Sequence, residues 1–127
     1  MDFKVLAVGD VVGNPGMERI RRNLRQLKRK TGADFVIVNG ENASEIKGIC
    51  ASDAQDLLYA GADIITLGNH AYSAPDIGNF LDDRSDVIIR PANFPAQNPG
   101  CGYTVITVQG VRVLCVNILG TVNLAPL

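Results

Sequence analysis

The stretch FVIVNGENASEIKGICASDAQDLLYAGADIITLGNH, residues 35–70, decides the fold. It opens on an apolar run, Phe35-Val36-Ile37-Val38, that predicts a buried strand, and nears its end on a second, Ile64-Ile65-Thr66-Leu67. Between them Ser52 is placed to cap a helix running through Ala60, with Asp53 in the first turn and Gly61 just past the end. Strand, helix and strand in that span predict a βαβ crossover within a mostly parallel sheet. Each strand then runs into a polar cluster, Asn39-Gly40-Glu41-Asn42 after the first and Gly68-Asn69-His70 after the second.

The same grammar extends in both directions. Upstream, Phe3 to Gly9 is a compact apolar run and predicts a strand, followed by loop chemistry from Asp10 to Gly16. Met17, Ile20, Leu24 and Leu27 recur at helical spacing, so Met17 to Lys30 predicts a helix that stops at Gly32. Downstream, Pro75 opens a helix whose apolar face is Ile77, Phe80 and Leu81, and Val87 to Ile89 predicts a fourth strand. Tyr103 to Val108 and Val111 to Asn117 flank Gln109-Gly110 and predict a hairpin. The fold class expected is α/β: a mostly parallel sheet with flanking helices and a C-terminal antiparallel hairpin, in a single domain over residues 1–127.

Composition narrows the function. The chain has 127 residues, 46% hydrophobic and 20% charged, which suits a globular domain with a real core. Twelve basic against thirteen acidic side chains exclude a strongly basic nucleic-acid coat. Seven basic residues crowd between Arg19 and Lys30, but no aromatic platform accompanies them, so a solvated helix face is favoured over a nucleic-acid patch. No apolar run reaches the ~18 residues of a membrane span, and Asp2 stands where a secretory leader carries its basic segment. Cys50, Cys101 and Cys115 form no CxxC pair and read as reduced, buried thiols of a cytoplasmic protein. Walker A, G-x-G-x-x-G and G-x-S-x-G patterns are absent, which argues against nucleotide-cofactor and serine-hydrolase chemistry.

The strand ends carry the chemistry. In a parallel sheet the carboxyl ends share one edge, and ligands bind there. Asp10, Glu41, Asn42, Asn69 and His70 should therefore converge. Two carboxylates, two amides and an imidazole make a donor set for a divalent ion of the Mg, Mn or Fe(II) type. Taken singly, Asp10 also reads as an Asx turn or helix cap, Asn39-Gly40 as a turn, and His70 as a structural histidine. Three clusters at three successive strand ends favour a polar active edge. The glycines before them are expected to let the backbone turn sharply and admit a ligand closely.

Four motifs in order, Gly9-Asp10-Val11-Val12-Gly13-Asn14-Pro15-Gly16, Val38-Asn39-Gly40-Glu41-Asn42-Ala43, Ile65-Thr66-Leu67-Gly68-Asn69-His70 and Arg90-Pro91-Ala92-Asn93, resemble the N-terminal half of the YmdB-like metallophosphoesterases of the calcineurin-like superfamily. Gly100 to Tyr103 and Val113 to Gly120 resemble the same family's hairpin. The resemblance implies a phosphodiesterase of 2′,3′-cyclic nucleotides or similar small phosphodiesters, with two divalent ions, Fe or Mn and less readily Mg. It implies that Asp10 binds the first ion, Glu41 bridges both, Asn42 supports the first, Asn69 binds the second and His70 is the proton donor.

The sequence also departs from that pattern. Where the family continues Thr-Trp-Asp after Gly-Asn-His, this chain has Ala71-Tyr72-Ser73, and Ser44-Glu45-Ile46-Lys47-Gly48 replaces a Gly-Gly stretch. The family is about twice as long and draws further metal-binding histidines from its second half, whereas His70 is the single histidine here. The expectation is an incomplete ion site and an exposed sheet edge, in a piece of a longer protein or in a homo-oligomer. The rival function is a non-catalytic α/β module for binding or self-association. Joining the two is a site completed by a partner chain's histidines.

Overall fold

A computed structural model describes residues 2–45 and 47–125. Ile46, within the substituted loop, and Pro126 and Leu127 lie outside the described residues. The elements follow in the order β1 (Val5–Val8), α1 (Gly13–Thr31), β2 (Phe35–Asn39), α2 (Ala51–Ala60), β3 (Ile64–Thr66), α3 (Ile77–Asp83), β4 (Ile88–Ile89), β5 (Tyr103–Val108) and β6 (Val111–Val116). Strands β1 to β4 form one parallel sheet in sequence order, registered Val8 on Val38, Val38 on Ile65 and Ile65 on Ile88. Strands β5 and β6 form a separate antiparallel pair closed by Gln109 and Gly110, both at positive φ, as a two-residue hairpin turn requires.

Alternation along the strands makes three layers. Val36, Val38, Ile65 and Ile88 face one way and pack with Met17 and Leu24 of α1, Leu57 of α2 and Leu81 of α3. Their chain neighbours Phe35, Ile64 and Ile89 face the other way and pack against Cys115, Ile106, Val108 and Val113 of the hairpin. Helices cover one face of the sheet and the hairpin covers the other. This is why the strands read as unbroken apolar runs rather than as alternating ones.

Several boundaries differ from the sequence reading. Helix α1 begins at Gly13, inside the expected loop, because Pro15 sits in its first turn, where a backbone N–H has no intrahelical partner to lose. The N-cap of α2 is Cys50, not Ser52. Its terminal N–H groups are satisfied from elsewhere: Cys50 N donates to Ser44 Oγ at 2.9 Å, and Ala51 N donates to the Asp76 carboxylate. Helix α3 starts at Ile77, two residues after Pro75. Of the three cysteines only Cys115 is buried, while Cys50 and Cys101 are half-exposed. The basic face of α1 is an ion-pairing surface, with Arg21 on Asp56 at 2.7 Å, Arg22 on Glu18, and Lys28 on Asp63 at 3.6 Å. No helix among the described residues is long and apolar enough to cross a membrane.

Candidate metal centre

The parallel register sets the ends of β1, β2 and β3 side by side, and the polar clusters meet there. A backbone bridge continues past the strands from Val12 to Asn42, with Gly13 N donating to Asn42 O at 3.0 Å. On that support Asn42 joins the other two loops. Its Nδ2 donates to Asp10 Oδ1 at 2.8 Å, and its Oδ1 lies 2.7 Å from His70 Nδ1. A carboxylate only accepts, so the amide nitrogen must face Asp10 and the amide oxygen must face the ring. His70 Nδ1 then carries the proton, which leaves Nε2 as the ring atom available for chemistry.

Glu41 is held differently. Its carboxylate lies directly on Gly68, where any Cβ would collide with it. Its Oε2 is buried and, among the described residues, has no hydrogen-bond partner. A buried carboxylate oxygen without a donor is costly unless a cation answers it. Asn69 is exposed beside this edge and lines the adjoining cleft. Asp10, Glu41, Asn42 and Asn69 supply hard oxygen donors of the kind Mg and Mn take, and the orphaned Glu41 oxygen fits such an ion. Among the described residues no three Asp, Glu, His or Cys side chains gather into a complete site.

The glycines work otherwise than the sequence suggested. Gly40 and Gly68 are not in the left-handed region. Gly40 is glycine because Ile49, Ile65 and Leu57 press on it, and Gly68 because Glu41 does. Gly48 does take a positive φ of 82°, and it seats the Ser44–Gly48 loop against Ser73 and the His70 carbonyl. That loop is further tied by Ser44 Oγ donating to Asp53 and by Asn14 Nδ2 donating to Glu45 Oε1.

Two positioning residues escaped the sequence reading. Asn117, just past β6, donates from Nδ2 to Leu67 O at 2.6 Å and so fixes the residue before Gly68-Asn69-His70 from the opposite layer. Arg90 is buried with its guanidinium on the carbonyls of Pro91 and Pro99. Pro99 O also accepts from the Tyr72 hydroxyl at 2.8 Å, and burial pushes the Tyr72 phenol up, keeping it protonated as a donor. The Asn117 bond leaves no local signal, since Leu67 lies 50 positions away, and for Arg90, whose partners Pro91 and Pro99 are near in sequence, the Arg-Pro-Ala-Asn motif is the single hint.

Known proteins resemble this chain in sequence and in fold. The chain is 40% identical over 125 residues to the 2′,3′-cyclic-nucleotide 2′-phosphodiesterase of Bacillus subtilis (strain 168), an alignment covering 98% of this chain and 47% of that protein. A hypothetical protein from Thermus thermophilus superposes with a TM-score of 0.87 at 34% identity, over 96% of this chain and 47% of that one. A novel phosphatase from Mycoplasma pneumoniae does so with a TM-score of 0.83 at 35% identity, over 94% and 43%. The chain thus spans somewhat under half the length of these relatives. The YmdB-like protein family matches residues 6–127, nearly the whole sequence, and the chain belongs to that family.

Proposed function

We propose that this chain carries the proton-donating and part of the ion-binding machinery of a phosphodiesterase acting on 2′,3′-cyclic nucleotides or similar small phosphodiesters, and that residues 1–127 are the N-terminal part of a longer phosphoesterase domain. The observation that carries the reading is the unbroken chain Asp10–Asn42–His70 across three strand ends. Asp10, Glu41, Asn42 and Asn69 would hold two divalent ions, Fe, Mn or Mg, with remaining ligands supplied beyond the described residues. Bound ions supply Lewis-acid polarisation of the phosphate and acidify a water.

This chain's own residues do the rest. Asn42 holds the His70 ring through Nδ1–H, and the doubly protonated ring would give its Nε2 proton to the departing ribose oxygen, returning to the neutral Nδ1–H form. Gly68 leaves room for the Glu41 carboxylate, and Asn117 fixes the peptide that precedes it. The three unpaired thiols accord with a reducing, cytoplasmic setting.

The test is hydrolysis of 2′,3′-cyclic AMP with added Mn²⁺ by the longer domain that includes residues 1–127, run beside its Glu41→Gln and His70→Asn variants. The expected result is turnover lowered on the order of 10²–10⁴-fold by His70→Asn, and a Mn²⁺ affinity at least about tenfold weaker in Glu41→Gln. Turnover and affinity indifferent to both changes would overturn the reading. A second reading, self-association as a homo-oligomer, is favoured by the outward face of the hairpin, where Tyr103, Val105, Leu114 and Val116 are exposed together. Sedimentation of the protein beside Leu114→Lys checks it, the variant being expected to shift toward monomer.

A further inference from the structure

Beside the strand-end site, and sharing Asn69 with it, lies a cleft of about 550 Å³. That is the size of a small-molecule site. Its walls include the rings of Tyr72 and Phe94, whose centroids are 5.9 Å apart at 38°, together with Asn98, Leu119 and Leu124. No charged side chain is among its described lining residues. A phosphate is therefore not what it takes. Apolar ring faces with a few amide groups at the edge match a flat, neutral heterocycle.

The walls are fixed in advance. The Tyr72 hydroxyl is anchored on Pro99 O, which pins the ring. On the other side the Asn93 amide brackets the peptide of Leu119, donating from Nδ2 to Leu119 O at 2.8 Å and accepting from Leu119 N at 3.0 Å. A preorganised aromatic surface loses little freedom on binding a ring.

We propose that the Tyr72–Phe94 cleft is the subsite for the nucleobase, so that the base lies on these rings while the phosphodiester reaches past Asn69 to the Glu41 and His70 edge. The inference rests on the phosphodiesterase reading above and extends it from the reacting group to the organic half of the substrate. Stacking is sequence-tolerant, because every base has a π face, and the amides of Asn69 and Asn98 can each donate or accept. The cleft therefore takes purines and pyrimidines alike, and it distinguishes nucleotides from sugar phosphates.

The experiment is a titration with adenosine and, separately, ribose, followed by NMR of the aromatic side chains. Adenosine is expected to move the Tyr72 and Phe94 ring signals and to bind with about tenfold lower affinity to Tyr72→Leu, while Tyr72→Phe keeps most of the affinity. Phe94→Leu repeats the test on the wall that does not depend on the Pro99 bond. Adenosine binding no better than ribose, or binding equally to the folded Tyr72→Leu and Phe94→Leu proteins, overturns the proposal. Adenosine carries no phosphate, so its binding needs neither ions nor turnover. Hydrolysis by the longer domain without adenosine binding would sink the subsite alone, and adenosine binding without hydrolysis by that longer domain would sink the phosphodiesterase reading.

Discussion

The parallel sheet and the hairpin are built from similar residues and buried to opposite degrees. In β3 and β4 the neighbours Ile64 and Ile65, and Ile88 and Ile89, are all fully buried, because helices cover one face and the hairpin covers the other. In β5 and β6 alternation is restored: Ile106, Val108, Val113 and Cys115 face the sheet, while Leu114 on the other side is 62% exposed. Apolar residues in a strand thus say that a face is fit for covering, and the layer behind it decides whether it is covered. The sheet also carries the polar strand ends, so the better-packed region is the one that positions the chemistry. Loose packing belongs to the face farthest from the helices.

Substitution tests that contrast most directly. Ile65→Ala removes a fully buried side chain between the sheet and the helices and should cost about 2–5 kcal/mol in urea unfolding. Leu114→Ala, of equal chemistry on the outer hairpin face, should stay within about 0.5 kcal/mol when measured at concentrations where the protein is monomeric. A comparable loss from both would mean that the outer face is buried in solution and that the two regions are equivalent.

The next effect concerns the tie between the regions. Asn117 donates to Leu67 O and Ile89 O from the end of the hairpin. Asn117→Asp replaces that donor by an acceptor facing two carbonyls and should cost about 1–3 kcal/mol, more than Asn117→Ala. If the hairpin were merely laid on the sheet, the two variants would unfold alike.

How much of this was legible follows from how local each cause is. The three strand ends could be read because each cluster directly follows its strand, and the Gln109-Gly110 turn because hairpin turns have their own residues. The start of α1 at Gly13 was hidden because Gly-Asn-Pro-Gly is loop chemistry wherever tertiary support is lacking. Cys50 is the helix N-cap only because Ser44 and Asp76, from two other segments, supply the acceptors. The meeting of Glu41 with Gly68 and the reach of Asn117 to Leu67 span 27 and 50 positions, and nothing in either neighbourhood announces them. The candidate ligands were visible as residue types, whereas the Asn42 bridge that orders Asp10 and His70 required the fold.

Gly68→Ala separates stability from site geometry. The added methyl meets the Glu41 carboxylate, the far end of a flexible side chain that can swing away. Unfolding free energy should change by less than about 1 kcal/mol. Mn²⁺ affinity should fall about tenfold, because the displaced carboxylate no longer points into the site. Calorimetric melting and ion titration on the same sample decide it; a large loss of stability with unchanged affinity would make Gly68 a packing residue of the sheet and nothing more.

The smallest effect distinguishes the hairpin's two faces by pH. Burial on the inner face pushes the Cys115 thiol up from its ordinary 9.0. The folded state then holds the proton more tightly than the unfolded chain. This stabilisation is full below the unfolded value and is lost as pH rises through the folded one. Unfolding in urea at pH 7.5 and 9.5 should show the native protein losing more stability over that interval than Cys115→Ala, which has no proton to hold. Identical losses would mean that the thiol meets water as freely as Tyr103 does on the outer face, and that the hairpin does not seal the sheet beneath it.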